Sequence, residues 1–343
     1  MAQEAGAWLN RRGPEGDVVV SSRVRLARNL AGFRFVWRAD EDELQHIRDL
    51  LKNKLLQIVA APTYISMEEM GAVERGVLME RNLISSALSE SNRPAGVLFT
   101  ADESMGAMVN EEDHLRLHVT LPGLELQKGY LALSEADEKM EHEVEYAFSD
   151  RFGYLTACPT NTGTGLRASV MLHLPALVMT RQMGRVFESV FNLGLTIRGF
   201  HGEGTGASGD FYQISNQKTL GKAESVIIDD LLSFVPEIIR YEREVREALL
   251  GHTRSRLEDR IWRAYGILRT SRLISTEEAL DMLSLVRLGA VLKLLNGVTL
   301  EGVNQLFILT QPAHTQQRAG GSLADEERDG RRAAFLRKWF SAN

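Results

Sequence analysis

Cysteine is almost absent from this chain. Its 343 residues include one cysteine, Cys158, which excludes an internal disulfide and a cysteine-rich zinc site. This cysteine usage fits a reducing cytosol, so we expect a cytoplasmic protein. It also makes Cys158 a candidate for a lone reactive thiol.

Long hydrophobic runs and an excess of basic residues are absent as well. No stretch approaches the ~18 uninterrupted apolar residues of a membrane span. Residues 1–16 carry charges and glycines instead of the apolar segment of a signal peptide. With 46 acidic and 40 basic residues, the net charge is −6, which excludes a generally basic nucleic-acid-binding protein. We expect neither a membrane nor a nucleic acid as a direct partner.

Three familiar catalytic motifs are missing. The chain has no G-x-x-x-x-G-K-[ST] phosphate loop, no G-x-S-x-G nucleophile elbow and no H-E-x-x-H metal pair. Any enzymatic site must therefore be built from other residues.

Length and patterning predict two domains. At ~150 residues per domain, a chain of 343 residues holds about two. Strand and helix patterns alternate up to Gly251, and helical periodicity dominates afterwards. We place the boundary near 252, which gives domains 1–252 and 253–343.

The local patterns predict individual elements. We expect strands over residues 18–25, 97–109 as a pair, 115–120, 195–198 and 211–215. We expect helices after Asp40 and over about 67–83, 131–148, 166–176, 183–192 and 223–250, the last with a possible kink at Pro236. Ser275 resembles the N-cap of a further helix. Five glycines between Gly199 and Gly209 predict a flexible hairpin tip, a candidate lid over a ligand.

Two short segments of the first domain carry charges at suggestive spacing. On a strand, Arg23 and Arg25 point to the same side and would suit a polyanion such as a triphosphate. The alternative is a solvated basic edge strand. The Glu111-Glu112-Asp113 turn, followed by Arg116, could grip a cation or accept protons. Its alternative is an ordinary polar hairpin turn.

Three further segments combine charges with glycine or with the single cysteine. The loop from Cys158 to Gly165 precedes Arg167 and, as the start of a predicted helix, could cradle phosphate; the alternative is a small buried cysteine. Arg198 and Glu203 flank the start of the hairpin, where the charges could also be incidental. Glu326 to Ala333 could equally be a solvated helix face with local ion pairs.

Taken together, these segments resemble the guanidino kinases, the phosphagen kinase superfamily. The matching stretches are VVVSSRVRLARNLAGFRF, VNEEDHLR, CPTNTGTGLRA and IRGFHGEGTGASGDFYQISN, which occur in family order and cover most of residues 17–222. The closest resemblance is to the bacterial protein-arginine kinases, because only 22 residues precede Arg23 and a helical extension follows the catalytic region. The resemblance implies an α+β fold: a catalytic domain with an antiparallel β-sheet flanked by helices, then an all-α C-terminal domain.

The resemblance also implies a chemistry and roles for residues. Phosphorylation of a guanidinium nitrogen by ATP and Mg²⁺ is expected, with the phosphates and the transition state held by Arg23, Arg25, Arg116, Arg167 and Arg198. Glu112 is expected to be the leading base, with Glu203 as its partner on the acceptor guanidinium. Glu111 would organise water around Mg²⁺. Cys158, as a thiolate supported by Thr160, would attract the acceptor electrostatically.

Three positions bear on details of the resemblance. Met171 stands where animal relatives have an adenine-contacting histidine, and Thr219 stands where they have an arginine, so neither contact is carried over. The stretch from Arg328 to Ala333 resembles the R-D-x-x-R-A element by which the bacterial enzymes bind phosphoarginine. It implies a phosphoarginine site at Arg328, Asp329 and Arg332.

Partners and alternatives follow from the same resemblance. It implies protein substrates with exposed arginine, a small zinc-binding activator, a Clp-type protease in bacterial protein quality control, and a homodimer or higher oligomer. A kinase of free guanidino compounds, or a phosphoarginine-binding adaptor without catalysis, stays open as an alternative. Redox sensing through Cys158 is compatible with an enzyme, since oxidation would stop catalysis.

Overall fold

The computed structural model describes residues 6, 8–9, 13–199 and 208–342. An eight-stranded antiparallel sheet forms its centre, in the order β2-β3-β4-β5-β1-β8-β10-β9. Its strands are β1 (Val19–Arg28), β2 (Pro62–Ser66), β3 (Gly96–Thr100), β4 (Met105–Val109), β5 (Leu115–Pro122), β8 (Leu166–His173), β9 (Leu195–Gly199) and β10 (Phe211–Asn216). The strands β6 (Phe148–Ser149) and β7 (Gly153–Tyr154) form a separate pair.

Helices account for most of the remaining chain. In order they are α1 (Glu41–Ile58), α2 (Ala72–Glu80), α3 (Ser86–Glu90), α4 (Leu126–Glu141), α5 (Pro175–Met179), α6 (Met183–Asn192), α7 (Glu224–Thr270), α8 (Thr276–Val291), α9 (Leu300–Leu309), α10 (Pro312–Ala319) and α11 (Asp325–Ala342). Within the described residues, none of the helices is both long and apolar enough to cross a bilayer.

The central strand β1 separates an apolar face from a charged one. Val24 and Leu26 alternate with Arg23 and Arg25, so the period of two sends them to opposite sides of the sheet. The apolar side packs on α1, α4 and the first half of α7 in one continuous core. Asp40 begins α1 as predicted, since its side chain accepts a hydrogen bond from the Glu43 N–H.

The charged face is covered only at its two ends. At one end, α2 and α3 pack Leu78 and Leu88 on Val97 and Met108 of β3 and β4. At the other end, Phe211 of β10 joins the core of the helical C-terminal region. The charged residues of β1 therefore lie in a cleft between two helical units.

One predicted helix is wrong. Residues 166–176 were expected to leave the Cys158 loop as a helix, but residues 166–173 form β8. Leu166, Ala168, Val170 and Leu172 are all buried on the apolar face, a period-two pattern that pairing with β1 and β10 enforces over helix propensity. The phosphate cradle expected at this helix N-terminus therefore does not form.

The long helix α7 differs from its predicted form. It extends to Thr270 instead of ending near Leu250, and it keeps helical backbone angles through Pro236. Its one non-helical residue is Thr253, with φ −137° and ψ 30°. Helix α4 also begins and ends earlier than expected.

Several other features agree with the sequence. The β3–β4 pair, β5, α6 and the antiparallel pairing of β9 with β10 occur where predicted, and Ser275 caps α8 by accepting from the Glu278 N–H. The helix predicted over 67–83 is shorter, since α2 covers Ala72–Glu80. The predicted flexible tip between β9 and β10 lies largely outside the described residues. The α+β class is confirmed, with an antiparallel sheet flanked by helices and a helical C-terminal region.

A buried polar group fastens β10 to this helical region. The Ser284 hydroxyl on α8 donates to Asp210 Oδ2 at 2.5 Å, and the Gly209 N–H donates to Asp281 Oδ1 at 3.2 Å. Burial raises the pKa of Asp210 to about 6; Asp281 adds to this increase, and Ser284 and Arg260 oppose it. The start of β10 therefore depends on contacts from α8.

Stability should depend on pH through Asp210. Its pKa rises from 3.8 to about 6 on folding, so the cost of ionising it is absent below pH 3.8 and complete above about pH 6. Asp210→Asn removes that cost, and Asn tolerates the positive φ of 59°. At pH 8 we expect the free energy of unfolding of Asp210→Asn to exceed that of wild type by up to about 3 kcal/mol, so that the variant melts at a higher temperature. This difference in melting temperature should narrow towards pH 5.

The Asp230→Asn substitution is the control, because this exposed carboxylate pairs with Lys222 at the surface. Its difference from wild type should stay constant over the same range. A constant difference for Asp210→Asn as well would contradict the assignment.

Candidate active site

Five predicted arginines lie on the charged face of the sheet: Arg23, Arg25, Arg116, Arg167 and Arg198. Arg25 is directly opposite Arg167 of β8 and His118 of β5, and residues opposite one another share a face. Arg116 is two residues from His118 and so lies on the same side. Arg198 lies opposite Gln213, which in turn lies opposite Met171, on the face of Arg167. The fold thus gathers arginines from four strands.

Arg23 and Arg25 form the least neutralised part of this face. Among the described residues, neither has a carboxylate at ion-pair distance, and the buried Nε of each lacks a hydrogen-bond partner. Arg23 Nη2 donates to the Asn82 carbonyl at 2.9 Å. Burial and then Arg116 lower the pKa of Arg23 to about 10, while burial, Arg23, Arg167 and Arg116 lower the pKa of Arg25. An anionic ligand would relieve this repulsion.

Arg116 is the neutralised member of the cluster. Its Nη1 lies 2.6 Å from Glu111 Oε2, and its Nη2 lies 2.7 Å from Glu112 Oε2 and 3.7 Å from Asp113 Oδ2. Burial alone would lower the pKa of Arg116, but Glu111, Asp113 and Glu112 raise it overall. Arg116 therefore orients the acidic turn against the arginine face.

The two glutamates of this turn have different environments. The Glu111 side chain is 4% exposed, and its Oε1 accepts a hydrogen bond from the Ser85 hydroxyl at 2.5 Å. The Glu112 side chain is 43% exposed, and its Oε1 has no hydrogen-bond partner in the described part of the chain. Of the two, Glu112 is the one presented to an incoming group.

Arg167 and Arg198 line a cavity of about 300 Å³ beside the Cys158 loop. Thr160, Asn161 and Thr219 form part of the same wall. Arg167 Nη2 lies 3.2 Å from the Ser215 hydroxyl. The cavity joins a cationic sheet edge to the loop that carries the cysteine.

The loop holds Cys158 half-buried, with its Sγ 2.9 Å from the Thr160 hydroxyl. The contact expected between Cys158 and Thr160 is therefore present. Gly163 has a φ of +118°, and a Cβ there would lie 2.5 Å from the Thr219 carbonyl, so only glycine fits. This close approach of Gly163 to Thr219 fixes the path of the backbone where the loop leads into β8.

Two positions that depart from the animal relatives have defined surroundings. The Thr219 hydroxyl lies 2.9 Å from the Thr160 carbonyl and 2.8 Å from the Thr162 carbonyl, so it supports the loop that carries Cys158. Met171 lines a smaller cavity of about 100 Å³ with Trp8 and Phe307. Neither residue carries a charge that could contact phosphate.

Sequence reasoning missed the part played by Asp113. This fully buried carboxylate accepts from Asn29 Nδ2 and from the Ala157 N–H, both at 2.7 Å. Asp113 follows Glu112 and Ala157 precedes Cys158, so one hydrogen bond ties the acidic turn to the cysteine loop. The only signal available in the sequence was the position of this third acid directly after Glu112.

Some predicted groups have other placements. Glu203 lies outside the described residues. Arg332 is 1% exposed, and its donors lie 2.7 Å from the Thr310 carbonyl, 2.8 Å from the Ile274 carbonyl and 2.6 Å from Asp329 Oδ1. Arg328 is more open, at 26% exposed, and pairs with the exposed Asp325. The phosphoarginine site stays a prediction, with Arg328 as its accessible arginine.

The donor set for a divalent cation is sparse. The described residues contain no group of three or more His, Cys, Asp or Glu side chains that could hold a metal ion. Glu111 and Glu112 supply carboxylate oxygens at the acidic turn, which suits Mg²⁺ held mainly by substrate phosphates and water.

Lysine should not replace Arg25. A lysine keeps the positive charge but loses the planar fork that binds two phosphate oxygens. We expect Arg25→Lys to lower kcat/KM for MgATP about 100-fold, the scale of a few kcal/mol for charged hydrogen bonds in phosphoryl-transfer sites. Arg254→Lys should have no effect, because this exposed arginine pairs with Glu258 at the surface. Wild-type kinetics in Arg25→Lys would exclude a bidentate clamp at this position.

Comparison with known families matches both parts of the chain. Residues 44–245 match the family described as ATP:guanido phosphotransferase, C-terminal catalytic domain. Residues 254–343 match the family described as protein-arginine kinase McsB C-terminal domain. The two matches meet near Thr253, where the long helix is interrupted.

Solved structures of similar architecture are kinases of guanidino compounds. A lombricine kinase aligns with a TM-score of 0.60 and 26% identity over 70% of each chain. The duplicated taurocyamine kinase from Schistosoma mansoni aligns with a TM-score of 0.63 and 26% identity, over 74% of this chain and 37% of that one.

Curated relatives match nearly the whole chain. A protein-arginine kinase from Halalkalibacterium halodurans is 46% identical over 98% of this chain and 96% of its own length. The protein-arginine kinase of Bacillus subtilis is 44% identical over 97% of this chain and 92% of its own. The chain belongs to the protein-arginine kinases, a family of ATP-dependent guanidino phosphotransferases.

Proposed function

We propose that the cleft transfers the γ-phosphoryl group of MgATP to arginine side chains of proteins. The supporting observation is the hydrogen bond from the Ala157 N–H to Asp113, which ties the acidic turn that carries Glu112 to the loop that carries Cys158. Phosphoryl transfer needs cationic clamps for spread negative charge, and an arginine acceptor needs anionic groups. The cleft supplies both.

The arginines act on the nucleotide. Arg23 and Arg25 take phosphate oxygens, which gives their unneutralised charge a counterion. Arg167 and Arg198 hold the phosphates from the side of the 300 Å³ cavity. Arg116 contributes charge while it holds Glu111 and Glu112 in place.

The acidic turn acts on the acceptor. A guanidinium has a pKa above ~12 and no lone pair free for attack. Glu112 Oε1 accepts an N–H of this group and takes its proton as the nitrogen attacks the γ-phosphorus. The N–P bond forms, the P–O bond to ADP breaks, and ADP leaves with the electron pair. Glu203 is the proposed second carboxylate on the same guanidinium.

Cys158 assists without forming a covalent intermediate. As a thiolate it places negative charge against the acceptor guanidinium, and the Thr160 hydroxyl, 2.9 Å from Sγ, can donate to it. Oxidation of this thiol would stop turnover, which leaves room for redox control. When bound with the nucleotide, Mg²⁺ would neutralise phosphate charge, and Glu111 would order water near it.

Two alternatives concern the substrate and the activity. A kinase of free guanidino compounds would need to recognise the amino and carboxylate groups of a free amino acid, whereas a protein kinase leaves that side open. The printed names of the curated relatives favour the protein substrate. A non-catalytic phosphoarginine adaptor would have no need for Glu112, Cys158 and the arginine cluster, all of which the chain retains.

We further propose a place for the enzyme in the cell. It acts in the bacterial cytoplasm as a homodimer or higher oligomer and marks proteins for a Clp-type protease. A small zinc-binding partner activates it, and that partner supplies the zinc ligands, since this chain has one cysteine. These points rest on the family resemblance.

The base assignment predicts a specific loss. We expect Glu112→Gln to reduce kcat at least 1,000-fold while MgATP still binds, because the amide keeps the shape but neither accepts the proton nor carries charge. The assay follows acid-labile phosphate on arginine of an unfolded protein, with free arginine in a parallel reaction. Glu141→Gln, outside the cleft, is the control.

The outcomes separate the alternatives. Phosphorylation of free arginine alone would support the small-molecule kinase, and no transfer by wild type would support the adaptor. Near-normal turnover in Glu112→Gln would remove it from the chemistry.

The C-terminal phosphoarginine site predicts a loss of affinity at Arg328. Asp329 holds the buried Arg332, so Arg328→Ala tests the site with the least disturbance. With the active site blocked by a nucleotide analogue, we expect it to weaken binding of a phosphoarginine peptide about tenfold or more. The neighbouring Arg331→Ala, 61% exposed in wild type, is the control. Equal affinity in Arg328→Ala and wild type would remove the site from this region.

A further inference from the structure

One contact between the helical C-terminal region and the catalytic domain is made by the carboxylate of Glu80. Glu80, the last residue of α2, accepts from the N–H of Ala313 at 2.6 Å and the N–H of His314 at 2.9 Å. The His314 Nδ1 lies 2.6 Å from Glu80 Oε2. Glu80 therefore caps α10 from another domain, where the first-turn N–H groups need an acceptor.

This contact is closed and tightly packed. The side chains of Glu80 and His314 are 9% and 4% exposed. A Cβ added to Gly76 would lie 2.8 Å from the Cβ of Ala313, so the absence of a side chain lets α2 approach α10. Glu80 is also a counter-charge to Arg318 and Arg332, since it raises the pKa of each against the lowering effect of burial.

The chain after Glu80 leads directly into the cleft. The Asn82 carbonyl accepts the hydrogen bond from Arg23, and the Ser85 hydroxyl donates to Glu111. Arg81 pairs with Glu103 at 2.5 Å, which fixes the other side of the segment. We call the charged face of the sheet, with its arginines, the phosphate face. Residues 81–85 thus touch both an arginine of the phosphate face and a carboxylate of the acidic turn.

A cavity of about 770 Å³ lies between these elements. Its lining includes Arg23 and Arg25 from the sheet, Gly76 and Glu80 from α2, and Ala313 from α10. The position of α2 against α10 therefore sets one wall of the cleft that contains the phosphate face. A shift of α2 would move the Asn82 carbonyl and the Ser85 hydroxyl together.

We propose that Glu80 is a positioning residue for phosphoryl transfer. By capping α10 it holds α2, and through residues 81–85 it sets Arg23 and Glu111 in their working positions. The phosphate face is then incomplete without the helical C-terminal region. The predicted effect on turnover rests on the proposed function. The predicted effect on nucleotide binding can be measured without any phosphoryl transfer.

Two substitutions disturb the contact by different routes. Glu80→Gln removes the charge and leaves one acceptor oxygen for two backbone N–H groups. Gly76→Ala adds the Cβ that meets Ala313, and Gly76→Ala/Ala313→Gly restores the space. Glu74→Gln, on the exposed face of α2, is the matched control.

The readouts are the Kd of a non-hydrolysable ATP analogue with Mg²⁺, and kcat and KM for arginine phosphorylation, all at a temperature where each variant is folded. We expect Glu80→Gln and Gly76→Ala to raise Kd and KM for the nucleotide about tenfold, the factor for one hydrogen bond to a charged group. In the double variant, Kd and KM should return towards the wild-type values. Glu74→Gln should have the wild-type Kd and KM.

Three results bear on the inference. Wild-type Kd and KM in folded Glu80→Gln and Gly76→Ala would overturn it, even if both variants melt earlier. If Glu80→Gln fails to fold, the Gly76→Ala pair decides, and absence of rescue in the double variant counts against the proposal. If wild type binds the analogue but phosphorylates no arginine, the proposed function fails, while Kd still tests the positioning role.

Discussion

Repulsion among guanidinium groups on one face of an antiparallel sheet is the constraint on which the structure depends. Arg23, Arg25 and Arg167 lie on neighbouring strands, with no ion-paired carboxylate in the described residues for the first two. The apolar core on the opposite face holds these strands in register. The core thus offsets an electrostatic cost that a bound polyphosphate would remove, so binding and stability are linked.

The remaining parts of the site organise around that charge. Arg116 is paired with carboxylates of the acidic turn, and one of these ion pairs holds Glu112 next to the arginines of the sheet. Asp113 ties this turn to the cysteine loop, and residues 81–85 tie Arg23 and Glu111 to α2. The contacts between the helical region and the catalytic domain include Glu80 at α10 and Ser284 at Asp210. Both contacts are polar and directional, and each joins a helix of the C-terminal region to an element that packs beside the sheet.

Much of this was predictable from local signals, and the rest was not for physical reasons. Period-two alternation placed Arg23 and Arg25 on one side of β1. Asp40 and Ser275 correctly predicted the N-termini of α1 and α8. Residues 166–173 were misassigned because Leu, Arg, Ala and Met favour helices, and only pairing with β1 and β10 makes them a strand. Asp113 and Glu80 act across 44 and 233 residues of chain, and no periodicity reports such contacts. The burial of Arg332 likewise depends on carbonyls from two distant segments.

The central claim is that Arg23 and Arg25 have no ion-paired carboxylate among the described residues and gain a counter-charge when a polyphosphate binds. Thermal unfolding at low ionic strength, with tripolyphosphate or adenosine added to the wild-type protein, tests it most directly. The account predicts that tripolyphosphate raises Tm in a concentration-dependent way, that added salt weakens the rise, and that adenosine has little effect. An unchanged Tm with tripolyphosphate, or stabilisation by adenosine alone, would contradict it.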